Sequence, residues 1–318
     1  MTINEIAKSL FSHESYLIFC HARPDGDTLG SAFALKLALE KSGKTADIVC
    51  ESVVPQKFAF MSESKAVLQP DEVKKQYFAF VAVDCATENM IGEAYGIFSR
   101  GRVTYNIDHH VSNSEYAKYN FVSDRAACCE IIYEIISLSD IKIDEEIANS
   151  LLLGISTDTG NFMHSNVTAS TLYIASELVK RGGDLHKIAY EAYKNQPLAR
   201  ARLFSKVTDG MRLYSDNKIA IITITMKQIE EVGATKDMTE GFIDFPLSVS
   251  GVEVAVSIME NKENCYKVSL RSKGKVNVNE VAAAFGGGGH VLASGCMISG
   301  FYEDVKDKLL REIGFQLD

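Results

Sequence analysis

The stretch Tyr16-Leu-Ile-Phe-Cys20-His21-Ala-Arg-Pro-Asp25-Gly-Asp27-Thr-Leu-Gly30-Ser31 carries an apolar run into a polar turn and then into a helical pattern that continues to residue 41. A continuous apolar run of this length reads as a strand covered on both faces, and a strand feeding a helix opens a βαβ unit. Open α/β sheets place their ligand sites beyond the carboxyl ends of their strands. His21, Asp25 and Asp27 fall at that edge.

The same rhythm extends outward. Apolar runs at 46–50, 78–84 and 103–107 alternate with helical patterns at 30–41, 127–137 and 147–156. This predicts an α/β fold with a mostly parallel sheet flanked by helices. Two more helices are expected at 170–181 and 185–193, after which Asn195-Gln-Pro-Leu-Ala-Arg-Ala-Arg202 is polar, contains Pro197 and breaks the pattern. The expected organisation is a first domain over 1–190, a linker over 191–207 and a smaller α/β domain over 208–318, with strands at 218–225, 252–259 and 265–271 and helices at 278–285 and 302–313. Two domains also suit a chain of 318 residues, because a single core usually serves about 100–200 residues.

Composition excludes several classes. The chain is 46% hydrophobic and 24% charged with 5 prolines, which is ordinary for globular proteins and unlike disordered or fibrous ones. Its apolar runs fall far short of the roughly 20 residues that cross a bilayer, and its first ten residues lack the basic start and apolar block of a leader. A mature, cytoplasmic chain with no membrane partner is expected. The 7 cysteines form no Cys-x-x-Cys pair, so reduced core thiols are expected in place of disulfides or a zinc site. A net charge of −9 argues against a large duplex-DNA footprint while leaving short phosphorylated substrates open.

Four segments supply ligand-type residues. Taken alone, Asp25 and Asp27 could cap the following helix. Asp84 ends the apolar run Phe78-Ala-Phe-Val-Ala-Val, where an unpaired charge is costly. Asp108-His109-His110 follows the strand at 103–107, and Asp158 closes an apolar helix whose dipole disfavours an anion there. His21, Asp25, Asp27, Asp84, His109 and Asp158 together are enough for two adjacent divalent ions if one carboxylate bridges. Mixed imidazole and carboxylate ligands suit manganese, iron or cobalt. Paired ions of this kind activate water and stabilise an in-line displacement on phosphorus. In the second half, Arg271 offers a bidentate fork for phosphate, and Gly286 to Gly289 followed by His290 could cradle one, although four glycines could also be a flexible linker.

His21-x-x-Pro-Asp25-x-Asp27-x-x-Gly30-Ser31, Asp84, Asp108-His109-His110 and Asp158 match, in order, the four motifs of the DHH phosphoesterase superfamily, and Arg271 with Gly-Gly-Gly-His290 resembles its associated C-terminal domain. That superfamily includes manganese pyrophosphatases, RecJ-type exonucleases and small enzymes that degrade very short RNAs or cyclic dinucleotides. The resemblance implies one manganese on His21, Asp25 and Asp84 and a second on Asp27, Asp84, His109 and Asp158. Asp108, His109 and His110 would form the catalytic motif, with Asp108 orienting a neighbour and His110 meeting the scissile phosphate or leaving group. Arg271, Gly287, Gly288, Gly289 and His290 would bind substrate. Val291 departs from the polar residue that many relatives carry after that histidine, which puts one phosphate contact in doubt. The implied activity is hydrolysis of short oligoribonucleotides and 3′-phosphoadenosine 5′-phosphate. Cyclic di-AMP hydrolysis is the alternative, and a non-catalytic nucleotide-binding module a remoter one. Dimeric relatives leave a homodimer open.

Overall fold

Each apolar run of the first half becomes a buried strand of one sheet. The computed structural model describes residues 1–317 and divides into two units, Met1–Asn195 and the part from Gln196 onward. The first unit runs α1 (Ile3–Leu10), β1 (Ser15–Phe19), α2 (Gly26–Lys41), β2 (Thr45–Val49), β3 (Val67–Leu68), β4 (Ala79–Val83), α3 (Glu88–Ile91), α4 (Tyr95–Phe98), β5 (Val103–Asp108), β6 (Tyr119–Val122), α5 (Cys128–Ser137), α6 (Glu145–Asp158), α7 (Ala169–Lys180) and α8 (Leu185–Tyr193). Its strands lie in the order β3-β2-β1-β4-β5-β6, and every neighbouring pair is parallel. All five residues of β4 are buried, which is why its sequence shows no alternation. One face packs on α1, α2, α5 and α6 and the other on Ile91, Ala94 and Phe98.

Helix α2 starts at Gly26, four residues before the expected position of Gly30, because the Asp25 carboxylate accepts the amides of Asp27 and Thr28 and so caps it. The cap draws Asp27 into the first turn, where it is fully buried. Two glycines allow the close packing behind it. A Cβ on Gly30 would sit 2.4 Å from the Ser150 carbonyl oxygen, and one on Gly154 would sit 2.3 Å from Cys129 Sγ and 2.5 Å from Asp27 Oδ1.

The second unit runs α9 (Leu198–Asp209), β7 (Arg212–Tyr214), β8 (Ile219–Ile224), α10 (Met226–Glu231), α11 (Asp244–Ser248), β9 (Val254–Lys262), β10 (Cys265–Ser272), α12 (Val278–Ala283), β11 (Gly288–His290), β12 (Ala293–Ser299) and α13 (Tyr302–Leu317). Its sheet has the order β11-β12-β10-β9-β8-β7, with β8 and β9 parallel and the remaining pairs antiparallel. On one face Ile221, Val256, Ile258, Val268 and Leu270 meet Val305, Leu309 and Ile313 of α13. On the other, Ile222, Ile224 and Met259 meet Leu203 and Val207 of α9. The architecture is therefore an α/β fold with a parallel sheet flanked by helices and a smaller α/β unit.

Two local readings change. Residues 198–207, expected within the linker, are helical, because Pro197 precedes the first helical residue and Leu203 and Val207 are spaced to bury one face. The glycine run is not a loose linker, since Gly288 and Gly289 pair with Gly295 and Ser294. No helix among the described residues is long and apolar enough to cross a membrane.

The substitution Gly154→Ala tests the α2–α6 packing. Overpacking of this kind costs about 1–3 kcal/mol, so the thermal midpoint should fall by several degrees. An unchanged midpoint would show that the helices are not in contact at Gly154.

Candidate active site

Three strand ends and one helix end bring the ionisable residues of the first unit together. His21 lies just beyond β1, Asp84 is the first residue after β4, Asp108 is the last residue of β5 with His109 and His110 following, and Asp158 is the last residue of α6. Three groups result, each with ligand atoms within 4.8 Å of one another: His21, Asp25 and Asp84; Asp27, His109 and Asp158; Asp84, His109 and His110. Asp84 is shared. One carboxyl oxygen is 3.7 Å from His21 Nε2, and the other is 3.4 Å from His109 Nε2 and 3.6 Å from His110 Nδ1. His109 Nε2 also lies 3.4 Å from Asp158 Oδ2 and 3.9 Å from Asp27 Oδ2.

The backbone and neighbouring side chains hold these groups against their own repulsion. Asp27 Oδ2 accepts the Cys128 amide at 2.5 Å and Oδ1 the Cys129 amide at 2.9 Å, both at the start of α5, where the helix dipole favours an anion. Asp84 adopts φ 57°, an uncommon conformation for a side-chain-bearing residue, and its amide bonds the Ile107 carbonyl at 2.9 Å. After Asp158 the chain makes three consecutive left-handed residues, Gly160, Asn161 and Phe162, at φ 54°, 56° and 64°. The Asp158 carbonyl is gripped there by His164 Nδ1 at 3.3 Å and Asn166 Nδ2 at 3.2 Å.

A second chain of contacts sets the histidines. His109 Nδ1 is 3.0 Å from the Arg125 carbonyl, which can only accept, so Nδ1 carries a proton and Nε2 is the ring atom turned toward three carboxylates. His110 Nδ1 donates to Asp108 Oδ1 at 2.7 Å, while Asp108 Oδ2 accepts from Asn113 Nδ2 at 2.6 Å. Asn113 Nδ2 also reaches Asn106 Oδ1 at 2.7 Å, and Asn106 Nδ2 donates to the Cys85 carbonyl at 3.0 Å. Sequence reasoning passed over Asn106, Asn113 and the amides of Cys128 and Cys129. A buried amide side chain in an otherwise apolar strand is the one signal that could have flagged Asn106.

Electrostatics shows what the arrangement lacks. Burial, and then the charge of Asp27, push the Asp84 carboxyl well above the usual carboxylate range, and the same two causes push Asp158 up to about 9. Burial alone would lower His109, but the contact with Asp84 and the charges of Asp27 and Asp84 push it up to about 10. Asp84 Oδ1 and His109 Nε2 are buried without a hydrogen-bond partner. Two buried polar atoms without a partner, facing each other within a carboxylate cluster, fit bound cations, and the set of imidazole nitrogens and carboxylate oxygens is one that first-row divalent ions take. Asp108 contrasts with these. Burial pushes its carboxyl up, yet the bonds from His110 and Asn113 outweigh it and hold the group below its ordinary value.

The residues of the second half gather at one end of the second sheet. Arg271 on β10 pairs with Ala293 on β12, which pairs with His290 on β11. A Cβ on Gly287 would meet the Gly295 carbonyl oxygen at 2.3 Å, and Gly289, at φ 148°, would bring one to 2.6 Å from that of Ala293. Only glycine permits this approach.

Because raised carboxyls and a raised imidazole hold protons that a cation must displace, metal binding should release protons. Calorimetric titration of the ion-free protein with manganese at pH 7.5, in buffers of different ionisation enthalpy, should show more than one proton released per chain, with affinity rising from pH 6.5 to 8.5. Binding without proton release would contradict the raised values.

Two family descriptions match the chain: the DHH family N-terminal domain over residues 15–155 and the DHHA1 domain over residues 216–315. The bifunctional oligoribonuclease and PAP phosphatase NrnA of Thermus thermophilus is 31% identical over 302 residues, covering 93% of this chain and 89% of the relative. The Bacillus subtilis protein of the same name is 26% identical over 317 residues, covering 97% and 96%. The crystal structure of an exopolyphosphatase-related protein from Bacteroides fragilis superposes with a TM-score of 0.90 at 27% identity, covering 99% of this chain and 97% of that one. With both domains matched in order and a relative of this similarity aligned along nearly its whole length, the chain belongs to the DHH family and is a phosphoester hydrolase.

Proposed function

We propose that the chain is a manganese-dependent phosphoesterase that hydrolyses short oligoribonucleotides and 3′-phosphoadenosine 5′-phosphate with two metal ions. The observation that carries the two-ion reading is Asp84, buried between the His21–Asp25 group and the His109–Asp158 group with one carboxyl oxygen toward each. The substrate reading rests on the names of the relatives that align over nearly the whole chain.

His21, Asp25 and Asp84 would hold one ion, and Asp27, Asp84, His109 and Asp158 the other. Such a pair supplies charge stabilisation for an in-line displacement on phosphorus and lowers the pKa of the attacking water. His109 fixes its site through the Nδ1 bond to the Arg125 carbonyl, which locks ring and tautomer. Asp108 is held below its ordinary value and accepts from His110 Nδ1, which turns Nε2 to the substrate; as an imidazolium, with Asp108 balancing its charge, His110 would give its Nε2 proton to the departing ribose oxygen as the phosphorus–oxygen bond breaks and be left neutral. In the second unit, Arg271 would supply a guanidinium fork to a substrate phosphate, and Gly287, Gly288 and Gly289 with His290 would supply close-approach backbone and an exposed imidazole. The seven free, buried thiols suit a reducing cytoplasm, where we place the enzyme.

Two measurements test this reading. The manganese-loaded protein should turn over 3′-phosphoadenosine 5′-phosphate and an RNA dinucleotide faster than longer RNA, cyclic di-AMP or pyrophosphate, and a preference for cyclic di-AMP would replace the substrate assignment. His110→Ala should lower kcat about 10²–10⁴-fold, the usual range for a lost general acid, while leaving manganese content unchanged. Retention of full kcat would remove His110 from the proton transfer.

A further inference from the structure

The helix-covered face of the second sheet changes character along its length. Ile219 and Ile221 of β8, Val254, Val256 and Ile258 of β9 and Val268 and Leu270 of β10 are buried in one core with Val278 and Val281 of α12 and Val305, Leu309 and Ile313 of α13. Period-two alternation carries that face on to Thr223 and Thr225, Glu260 and Tyr266, where polar groups join an aromatic one, and the strand register sets Glu260 directly opposite Tyr266. The β9–β10 register shifts between Cys265 and Tyr266, an irregularity of the kind that re-aims a side chain. Here the start of α13 contributes Tyr302 and Lys306, the edge strand β7 contributes Arg212 and Tyr214, and the space between them is a cavity of about 550 Å³. That falls in the range of about 300–1,000 Å³ typical of small-ligand sites.

We propose that this cavity is a second nucleotide-binding site, taking a nucleoside monophosphate whose base carries an exocyclic amino group. Tyr214, Tyr266 and Tyr302 supply the aromatic faces on which a base stacks, and the hydroxyl of Tyr302 is fixed at 2.7 Å from that of Thr223. Glu260 accepts the Met226 amide through one oxygen at 2.8 Å, which orients the carboxylate and leaves its other oxygen to accept from an amino group. Arg212 is exposed, and among the described residues its guanidinium donates only to the Met211 carbonyl, at 2.9 Å, so its fork is available for a phosphate. Lys306, by contrast, is engaged by Glu303. Arg212 pairs with Ile221, two residues before Thr223 on β8, while Glu260 lies two residues beyond Ile258, the partner of Thr223. Cation and carboxylate are thus separated by about 13 Å along the strands, at ~3.3 Å per residue. The reach of an arginine side chain reduces that to the span between base edge and phosphate in a mononucleotide.

The cavity is separate from the Arg271 and glycine-run end of the same sheet. Tyr266 and Arg271 occupy opposite ends of β10, about 17 Å apart at ~3.3 Å per residue. A nucleotide seated on Tyr266 is therefore not the one that Arg271 would hold, and the proposal does not depend on the substrate assignment.

Equilibrium dialysis of the manganese-loaded protein with AMP tests the site. The parent should bind one more AMP per chain than Arg212→Ala, whose hydrolytic kcat and thermal midpoint should stay within about twofold and one degree of the parent because the side chain is exposed. AMP should outcompete IMP, which lacks the amino group, and Glu260→Gln should erase that preference. Equal AMP stoichiometry in the parent and Arg212→Ala would overturn the site, and equal competition by AMP and IMP would overturn the role of Glu260. Failure of the hydrolysis panel with the extra AMP still bound would sink the substrate assignment alone.

Discussion

The first unit is organised around placing Asp27, Asp84 and Asp158 close together, the first two buried and Asp158 half-buried. Burying a charge costs several kcal/mol per ion even in real proteins, and three carboxylates around His109 Nε2 add mutual repulsion. The fold answers with two amide dipoles on Asp27 and with a fixed backbone at Asp84 and Asp158. Two α5 amides hold Asp27, a left-handed residue and a strand-end hydrogen bond hold Asp84, and a left-handed turn gripped by His164 and Asn166 holds Asp158. Gly30 and Gly154 serve the same end, since only residues without a side chain let α2 and α6 close over Asp27.

These constraints explain which features the sequence displayed. Central strands buried on both faces read as continuous apolar runs, so β1, β2, β4 and β5 were legible, and the charges placed directly after them marked the sheet edge. Short strands such as β3 and β6 escaped, because two to four residues of half-buried chain carry no period. Helix α9 was hidden behind Pro197 and its arginines, although Leu203 and Val207 bury one face. The start of α2 was misplaced for an instructive reason: Asp25 is both a helix cap and a member of the His21 group, so the bland and the chemical readings of that residue are both true.

The supporting contacts of the site were the least legible part. Asn113 lies in a loop and matters only because the fold brings it to Asp108 and Asn106, and the Cys128 and Cys129 amides act through backbone that no side-chain pattern reveals. In the second unit the motif residues Arg271 and His290 were visible, whereas the tyrosine-lined end of the same sheet depends on register among β8, β9 and β10. Cross-strand register is a tertiary property.

The central claim is that Asp84 joins two cation sites. Its most direct measurement is the metal content of the manganese-loaded protein and of Asp84→Asn, determined by elemental mass spectrometry after removal of free ion. Two ions per chain in the parent and at most one in the variant are the expected result. A single ion in the parent, or two retained by Asp84→Asn, would contradict the account.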